Sequence, residues 1–569
     1  MAVAVASLVV GVAWAALSEL EEDHELSMDY ATPHTDWAQP YFLGKTRVLY
    51  FGWGFGPGHG TDTRDLIELM QRFDIEAVAA FYAQLCDSPQ TGWHGGAAGV
   101  RRLLRLLEKP YDCFIFNAVE PGKLPPEAQY KMLKQVAEGA GLVLLGTDDP
   151  RVLKPQHKIE PVPEFLSASN AGEAFAVKRG RGVRLPPRPD IKYAVGWEVQ
   201  YDYWIERLGR AVLWAAGKEP PCQVSIEPEA EDISVERLPG ARATVRWRWL
   251  GQVQKVKKCR LSVRLRRDDG AAWDLTNLEA TGGRINEGAA TATLPAVRAG
   301  SYRIEAFLDA DGKRAGWATR KISVTADRAV EAVALERNWG EVGEPVKGAL
   351  HLTGQASTGE QVLVELVDVN GRILTRKKLA VVGAQAAFGL PTYPWMPMLL
   401  RVEGVVMRAG REISRAYEYY RVTKRNRGRW NFLVWDYPTG AAAPWAEKAL
   451  AEMGCSIHLH WGEPTLMAAA YNIAQVPYTT RILDPKDERG HMLPFCWNDA
   501  EAVERATREL AEKHRPSRQH GVFVYSLGDE GVTRGCCLAP TCLAAYREYL
   551  RREYGNISAL NASWGTNYS

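Results

Sequence analysis

Between Pro221 and Lys424 apolar and polar residues alternate with a period of two, and this stretch constrains the chain more than any other part of it. In Ala243-Thr244-Val245-Arg246-Trp247-Arg248-Trp249, Leu261-Ser262-Val263-Arg264-Leu265 and Tyr302-Arg303-Ile304-Glu305-Ala306-Phe307 every second side chain falls on one face, the pattern of a strand with one wet and one dry surface. Asp269-Gly270, Asp311-Gly312 and Asn370-Gly371 supply the residues that tight hairpins prefer. Antiparallel sheets with a single dry face bury it by packing in pairs, so the stretch predicts β-sandwiches. The strand, turn and strand of Tyr302 to Val324 returns at Leu399 to Val422, which divides the stretch into two tandem sandwiches at 221–326 and 327–424. Spacing, packing or self-association into a homo-oligomer is their expected work. Carbohydrate binding by either stays open, with no loop cluster of aromatics in the sequence to mark it.

On both flanks strands alternate with helices instead. Arg47 to Phe51, Asp112 to Asn117 and Gly141 to Gly146 are short apolar runs, and the helical stretch Pro126 to Glu138 precedes the last of them, which predicts a doubly wound α/β domain over 41–220. After Arg429, Trp430 to Asp436 reads as a strand, followed by a helix with Pro444 near its first turn and Gly454 closing it. Ser456 to Trp461 is a second strand, and helix Thr465 to Tyr471 leads to a third at Ala474 to Thr480. Helix Asp499 to Lys513, capped by Asn498, leads to a fourth at Gly521 to Ser526. Four βα units over 430–569 are the first half of a (β/α)₈ TIM barrel, since a whole one takes roughly 250 residues. The expected fold is therefore multidomain: an α/β unit, two β-sandwiches and a partial barrel.

Seventy basic against 68 acidic side chains give a net charge of +2, and no Lys/Arg stripe is interleaved with aromatics, so neither a nucleic acid nor an anionic membrane is an expected partner. The uncharged run Ala2 to Ala16 has the apolar core and small-residue end of a secretory signal, although it lacks a positive start; residues 1–16 predict a signal peptide and a secreted or periplasmic protein. That run is too short to span a bilayer, and no other segment is long and apolar enough. Nine cysteines at scattered spacing form no disulfide framework. The glycine cluster Gly52 to Gly60 contains no G-x-G-x-x-G and reads as a structural loop.

Barrels of this kind carry their chemistry at the C-terminal strand ends, where Trp435, Asp436, His460, Trp461 and the run Ser526 to Gly531 fall. Glu530 is the candidate catalytic carboxyl, beside Asp529; the bland alternative is a polar Asp-Glu-Gly loop. Glu530, Cys536-Cys537, Cys542, the helix Leu543 to Gly555 and the element Leu560-Asn561-Ala562-Ser563-Trp564-Gly565-Thr566 together resemble family 42 glycoside hydrolases, the β-galactosidases of clan A. The resemblance implies a retaining glycosidase acting on a carbohydrate, with Glu530 as general acid/base and a second Glu, at the end of a seventh strand, as nucleophile. That residue is expected to lie beyond residue 569, which would leave this chain inactive. Asp529 stands where the family has an Asn that holds the sugar 2-hydroxyl, which puts β-galactosidase specificity in question. Some members bind zinc through clustered cysteines near this position; Cys536, Cys537 and Cys542 match that cluster loosely, because C-C-x₄-C is not a standard ligand spacing, so zinc, a local disulfide and free thiols all stay open.

The stretch Tyr111 to Gly146 is in turn similar to the class I glutamine-amidotransferase-like domain that accompanies such hydrolases, where it normally follows the barrel. No Gly-x-Cys-x-Gly elbow follows Gly146, and neither Cys86 nor Cys113 has elbow context, so the domain is expected to be non-catalytic. The alternative reading of the whole chain is a non-catalytic carbohydrate-binding or structural surface protein.

Overall fold

The computed structural model describes residues 28, 31–53, 62–82, 92–149, 152, 157–160, 163–166, 172–251, 256–281, 286–435, 437–440, 443–460, 465–478, 496–525 and 538–569. The expected signal segment and most of the glycine cluster lie outside them.

The first unit is a three-layer α/β structure. Its sheet contains β1 (Thr46–Trp53), β2 (Ile75–Tyr82), β3 (Cys113–Asn117), β4 (Gly141–Leu145), β5 (His157–Lys158), β6 (Glu173–Val177) and β7 (Gly180–Leu185), in the order β2-β1-β3-β4-β7-β6-β5. β1 to β4 and β7 run parallel, while β6 and β5 add an antiparallel edge. β3 and β4 are buried at every position because both faces are covered. Helices α1 (Asp62–Arg72) and α4 (Trp197–Ala215) cover one face, and α2 (Ala97–Leu106) and α3 (Pro126–Glu138) the other. At Gly209 of α4 a Cβ would sit 2.1 Å from the Phe73 ring, so only glycine lets the helix approach this closely.

Two sandwiches follow, each a three-stranded sheet against a five-stranded one. In the first, β8 (Cys222–Pro228), β10 (Arg242–Trp249) and β13 (Glu287–Thr293) face β9 (Asp232–Ser234), β11 (Lys258–Arg267), β12 (Ala272–Thr281), β14 (Gly300–Ala310) and β15 (Lys313–Thr325). In the second, β16 (Val330–Leu335), β18 (Val346–Leu352) and β21 (Gln385–Leu390) face β17 (Trp339–Glu341), β19 (Glu360–Val367), β20 (Ile373–Leu379), β22 (Leu399–Arg408) and β23 (Arg411–Thr423). The strand orders β13-β10-β8 with β12-β11-β14-β15-β9, and β16-β18-β21 with β17-β23-β22-β19-β20, coincide strand for strand, down to a short parallel strand beside the last long one. The alternating runs read from the sequence are β10, β11 and β14, with burial alternating along β10 and β11. The two sandwiches share one continuous apolar core.

A charged network ties the α/β unit to the first sandwich. Asp202 of α4, with no exposed surface, accepts hydrogen bonds from Arg72 Nε of α1 and Arg266 Nη1 of β11, each at 2.7 Å. Glu305 of β14, equally buried, receives Tyr203 and Arg264. Glu68 pairs with Arg72 and accepts from Thr32. Buried charges persist only when paired in this way.

The last unit is a three-stranded parallel sheet, β24 (Phe432–Val434), β25 (Cys455–His460) and β26 (Ala474–Pro477), connected by α5 (Ala443–Glu452) and α6 (Leu466–Ala470) and followed by α7 (Ala500–His514). Two corrections apply to the sequence reading. Asp499, not Asn498, caps α7, its carboxylate accepting from the backbone N–H of Glu501 and Ala502. Among the described residues Gly521 to Tyr525 form no fourth strand. The Val522 carbonyl is taken by the Arg425 guanidinium, and Thr423 Oγ1 donates to Gln519 O at 3.0 Å, so this segment is tied to the end of the last sandwich strand, while Phe523 packs against β25 and β26 without extending their ladder. Helices α8 (Pro540–Tyr554) and α9 (Ile557–Trp564) close the described chain. Among the described residues no helix is long and apolar enough to cross a membrane.

Candidate active site

The parallel sheet positions the site because all three strands end on the same side. Trp435 follows β24 there and Tyr478 follows β26. Their rings meet edge to face at 5.9 Å and 86°, bridging the C-terminal ends of two strands with β25 between them. Trp435 remains about half exposed, leaving part of its indole available on the rim. Tyr478 is a site residue that sequence reasoning missed; it sits within the run read as the third strand, and only the observed end of β26 at Pro477 places it on the rim.

His460 is the last residue of β25, its backbone paired with Pro477. Asp436, Trp461, Asp529 and Glu530 lie outside the described residues, as do Cys536 and Cys537. Beneath the rim, Ile457, Leu459, Ala474 and Val476 pack together with Tyr478 and Phe523. Behind the sheet His458 Nε2 and Glu447 Oε1 of α5 are 2.9 Å apart, both side chains only 1% exposed. His458 Nδ1 and Glu447 Oε2 have no hydrogen-bond partner among the described residues. This pair fixes α5 against β25 and hence the Trp435 end of the sheet. Glu447→Ala strands a buried imidazole nitrogen, at a cost of about 1–3 kcal/mol. The expected readout is faster amide exchange across 443–478 with the sandwiches unchanged, and unaltered exchange there would refute the role assigned to the pair.

Cys542, on α8, lies 3.2 Å from Cys496 Sγ, which precedes α7; Asn498 Nδ2 donates to Cys542 Sγ and Thr541 Oγ1 contacts Cys496 Sγ. Sequence reasoning did not include Cys496, because 46 residues separate it from Cys542 and no short ligand spacing joins them. Two converging sulfurs are the donor type that zinc takes, but a closed structural site needs four ligands, and among the described residues no group of three metal-binding side chains gathers. Cys536 and Cys537 are the remaining candidates. The core cysteines have different surroundings: burial pushes the Cys222 thiol up to about 12 and that of Cys259 up to about 11, so neither supplies a thiolate at neutral pH. Burial also raises Cys113, at the start of β3, well above the usual thiol range.

Residues 478–569 match the family model for glycosyl hydrolase family 42, beta-galactosidase. The matched stretch begins at Tyr478 on the rim and takes in Glu530, α7, α8 and α9. No curated protein matches the chain. Among solved structures the chain is similar to a beta-glycosidase from Bacteroides vulgatus, at 11% identity over 55% of this chain and 46% of that one, with a TM-score of 0.20. It is similar also to a glycosyl hydrolase family 2 member from Bacteroides cellulosilyticus, at 13% identity over 57% and 47% with a TM-score of 0.20. A third is red sea bream transglutaminase, at 12% identity over 45% and 38% with a TM-score of 0.19. The chain spans less than half the length of each of these structures.

Proposed function

We propose that the chain is a portion of an exported retaining glycosidase acting on β-galactosides or related glycans. The observation that carries this reading is the match of 478–569 to a beta-galactosidase family model across Glu530, on a segment whose preceding strands end on one rim. Glu530 is the general acid/base: its carboxyl protonates the leaving oxygen, then takes a proton from the water that releases the sugar. Asp529 holds the hydroxyl beside the reacting carbon. Trp435, Asp436, His460 and Trp461 bind the sugar, Trp435 from the end of β24 with Tyr478 supporting its ring.

The nucleophilic carboxylate belongs to a strand outside residues 1–569. Three strands occupy the described barrel segment, whereas closure takes eight. The α/β unit is taken as an amidotransferase-like domain, and the burial of Cys113 inside its parallel sheet supports a non-catalytic role for it. Zinc, where bound, would be a structural ion held by Cys496 and Cys542 together with Cys536 and Cys537, which precede Cys542 closely in the sequence.

The test compares the 569-residue chain with one carrying all eight βα units, on an aryl β-galactoside. The shorter chain is expected to show no turnover and the longer one hydrolysis with retained anomeric configuration. Turnover by the 569-residue chain would overturn the placement of the nucleophile. An inactive complete barrel would favour a non-catalytic carbohydrate-binding protein instead.

A further inference from the structure

The connection between β21 and β22 of the second sandwich carries two aromatic rings that the fold does not use. It reads Pro391-Thr392-Tyr393-Pro394-Trp395-Met396-Pro397-Met398, and its three prolines limit the backbone. Met396 N donates to Tyr393 O at 3.0 Å, closing a four-residue turn with Pro394 and Trp395 at its centre. The feet of the turn are anchored. Thr392 Oγ1 donates to Glu344 O at 2.8 Å and accepts from Gly343 N at 3.0 Å, while the Met396 and Met398 side chains are buried. Tyr393 and Trp395 nonetheless remain 42% and 62% exposed, with ring centroids 5.8 Å apart and planes within 8° of parallel. Neither ring joins an apolar core cluster.

The loop hydrogen-bonded to Thr392 carries the Arg337–Glu344 ion pair, and the Arg337 guanidinium lies over the Trp339 ring at 5.7 Å. Exposed, near-parallel aromatic faces suit a ligand with an apolar C–H face, as a pyranose has. Two rings are too small a patch for a stable protein interface, which needs about 800 Å² per partner.

We propose that Tyr393 and Trp395 form a carbohydrate platform that takes β-linked pyranose units of a polymeric glycan, separate from the barrel rim. The choice of ligand rests on the glycosidase reading. Met398 N, just after the turn, donates to Asn472 Oδ1 at 2.9 Å, and Asn472 precedes β26; the foot of the turn therefore adjoins the N-terminal end of β26, whereas Trp435 and Tyr478 follow the C-terminal ends of their strands. It holds a chain without competing for the rim.

The experiment is affinity electrophoresis of the 569-residue chain through gels containing β-1,4-galactan or hydroxyethylcellulose. Retardation by at least one polymer is expected, with Trp395→Ala weakening it roughly tenfold or more and Trp395→Phe less. Circular dichroism and the melting temperature of each variant serve as the folding control. Migration unaffected by both polymers, or retardation unchanged in a Tyr393→Ala/Trp395→Ala variant, overturns the platform. So does a dimer in sedimentation that Trp395→Ala dissolves, which would assign the patch to a second copy. A complete barrel that hydrolyses an aryl galactoside without binding either polymer sinks the platform alone; polymer binding without hydrolysis sinks the catalytic reading alone.

Discussion

In a chain carrying the whole barrel, Glu530→Gln is expected to slow hydrolysis of an unactivated β-galactoside by about 10²–10⁴-fold. Glutamine keeps the shape and one carbonyl acceptor of the side chain but cannot deliver a proton to the leaving oxygen. A nitrophenolate leaves without that help, so an activated aryl galactoside should lose far less rate in the first step. The second step then becomes limiting, because water also needs the lost base, and added azide should restore turnover and give a β-galactosyl azide. The two substrates must diverge in the variant. Equal rates for variant and parent on the unactivated substrate would remove Glu530 from the mechanism, and a uniform loss on both substrates without azide rescue would point to damaged folding. The neighbouring Asp529 gives a further discriminator, since a residue that only binds the sugar should leave azide rescue absent when replaced by Asn.

Asp202→Ala is expected to cost about 3–5 kcal/mol, because it removes the carboxylate shared by the buried Arg72, which then has only Glu68, and the largely covered Arg266. Arg72 has no exposed surface, and Thr35 loses a weaker contact from its backbone N–H at 3.4 Å. The loss should appear in urea unfolding as early melting of the α/β unit and its release from the first sandwich, read by proteolysis. Burial alone would push the Asp202 carboxyl up, but Arg72 and Arg266 outweigh it and hold it below the usual carboxylate range. A carboxyl with a lowered folded-state pKa stabilises fully above its unfolded value of about 3.9 and loses that contribution as pH falls through the folded value. The gap between parent and variant should therefore be constant from neutral pH to about 5 and shrink below about 4. A gap that instead widened on acidification would contradict the network. The half-buried Asp269 and Glu412 are likewise held below the usual carboxylate range by arginines that outweigh desolvation, so the parent should lose stability in the same acid window.

Local pattern was enough to read the β-sandwich strands, because a half-buried strand writes its burial into every second residue and a hairpin needs residues that tolerate its turn. Val245, Trp247, Leu261, Val263 and Ile304 are buried where the alternation puts them. The same holds for the helix ended by Gly454, which has φ +95°, and for the apolar runs of β3 and β4. Where competing residues sit side by side, local pattern fails: Asn498 and Asp499 are both good caps, and the orientation of Asn498 toward Cys542 decides in favour of Asp499. Partners distant in sequence were not legible at all. Cys496 meets Cys542, Asp202 meets both Arg72 and Arg266, and Val522 gives its carbonyl to Arg425 instead of a strand; each pairing depends on how separate units dock. Exposure is likewise a tertiary property. Tyr393 and Trp395 are indistinguishable in sequence from core aromatics, and only the burial of Met396 and Met398 beneath the turn leaves those rings facing solvent.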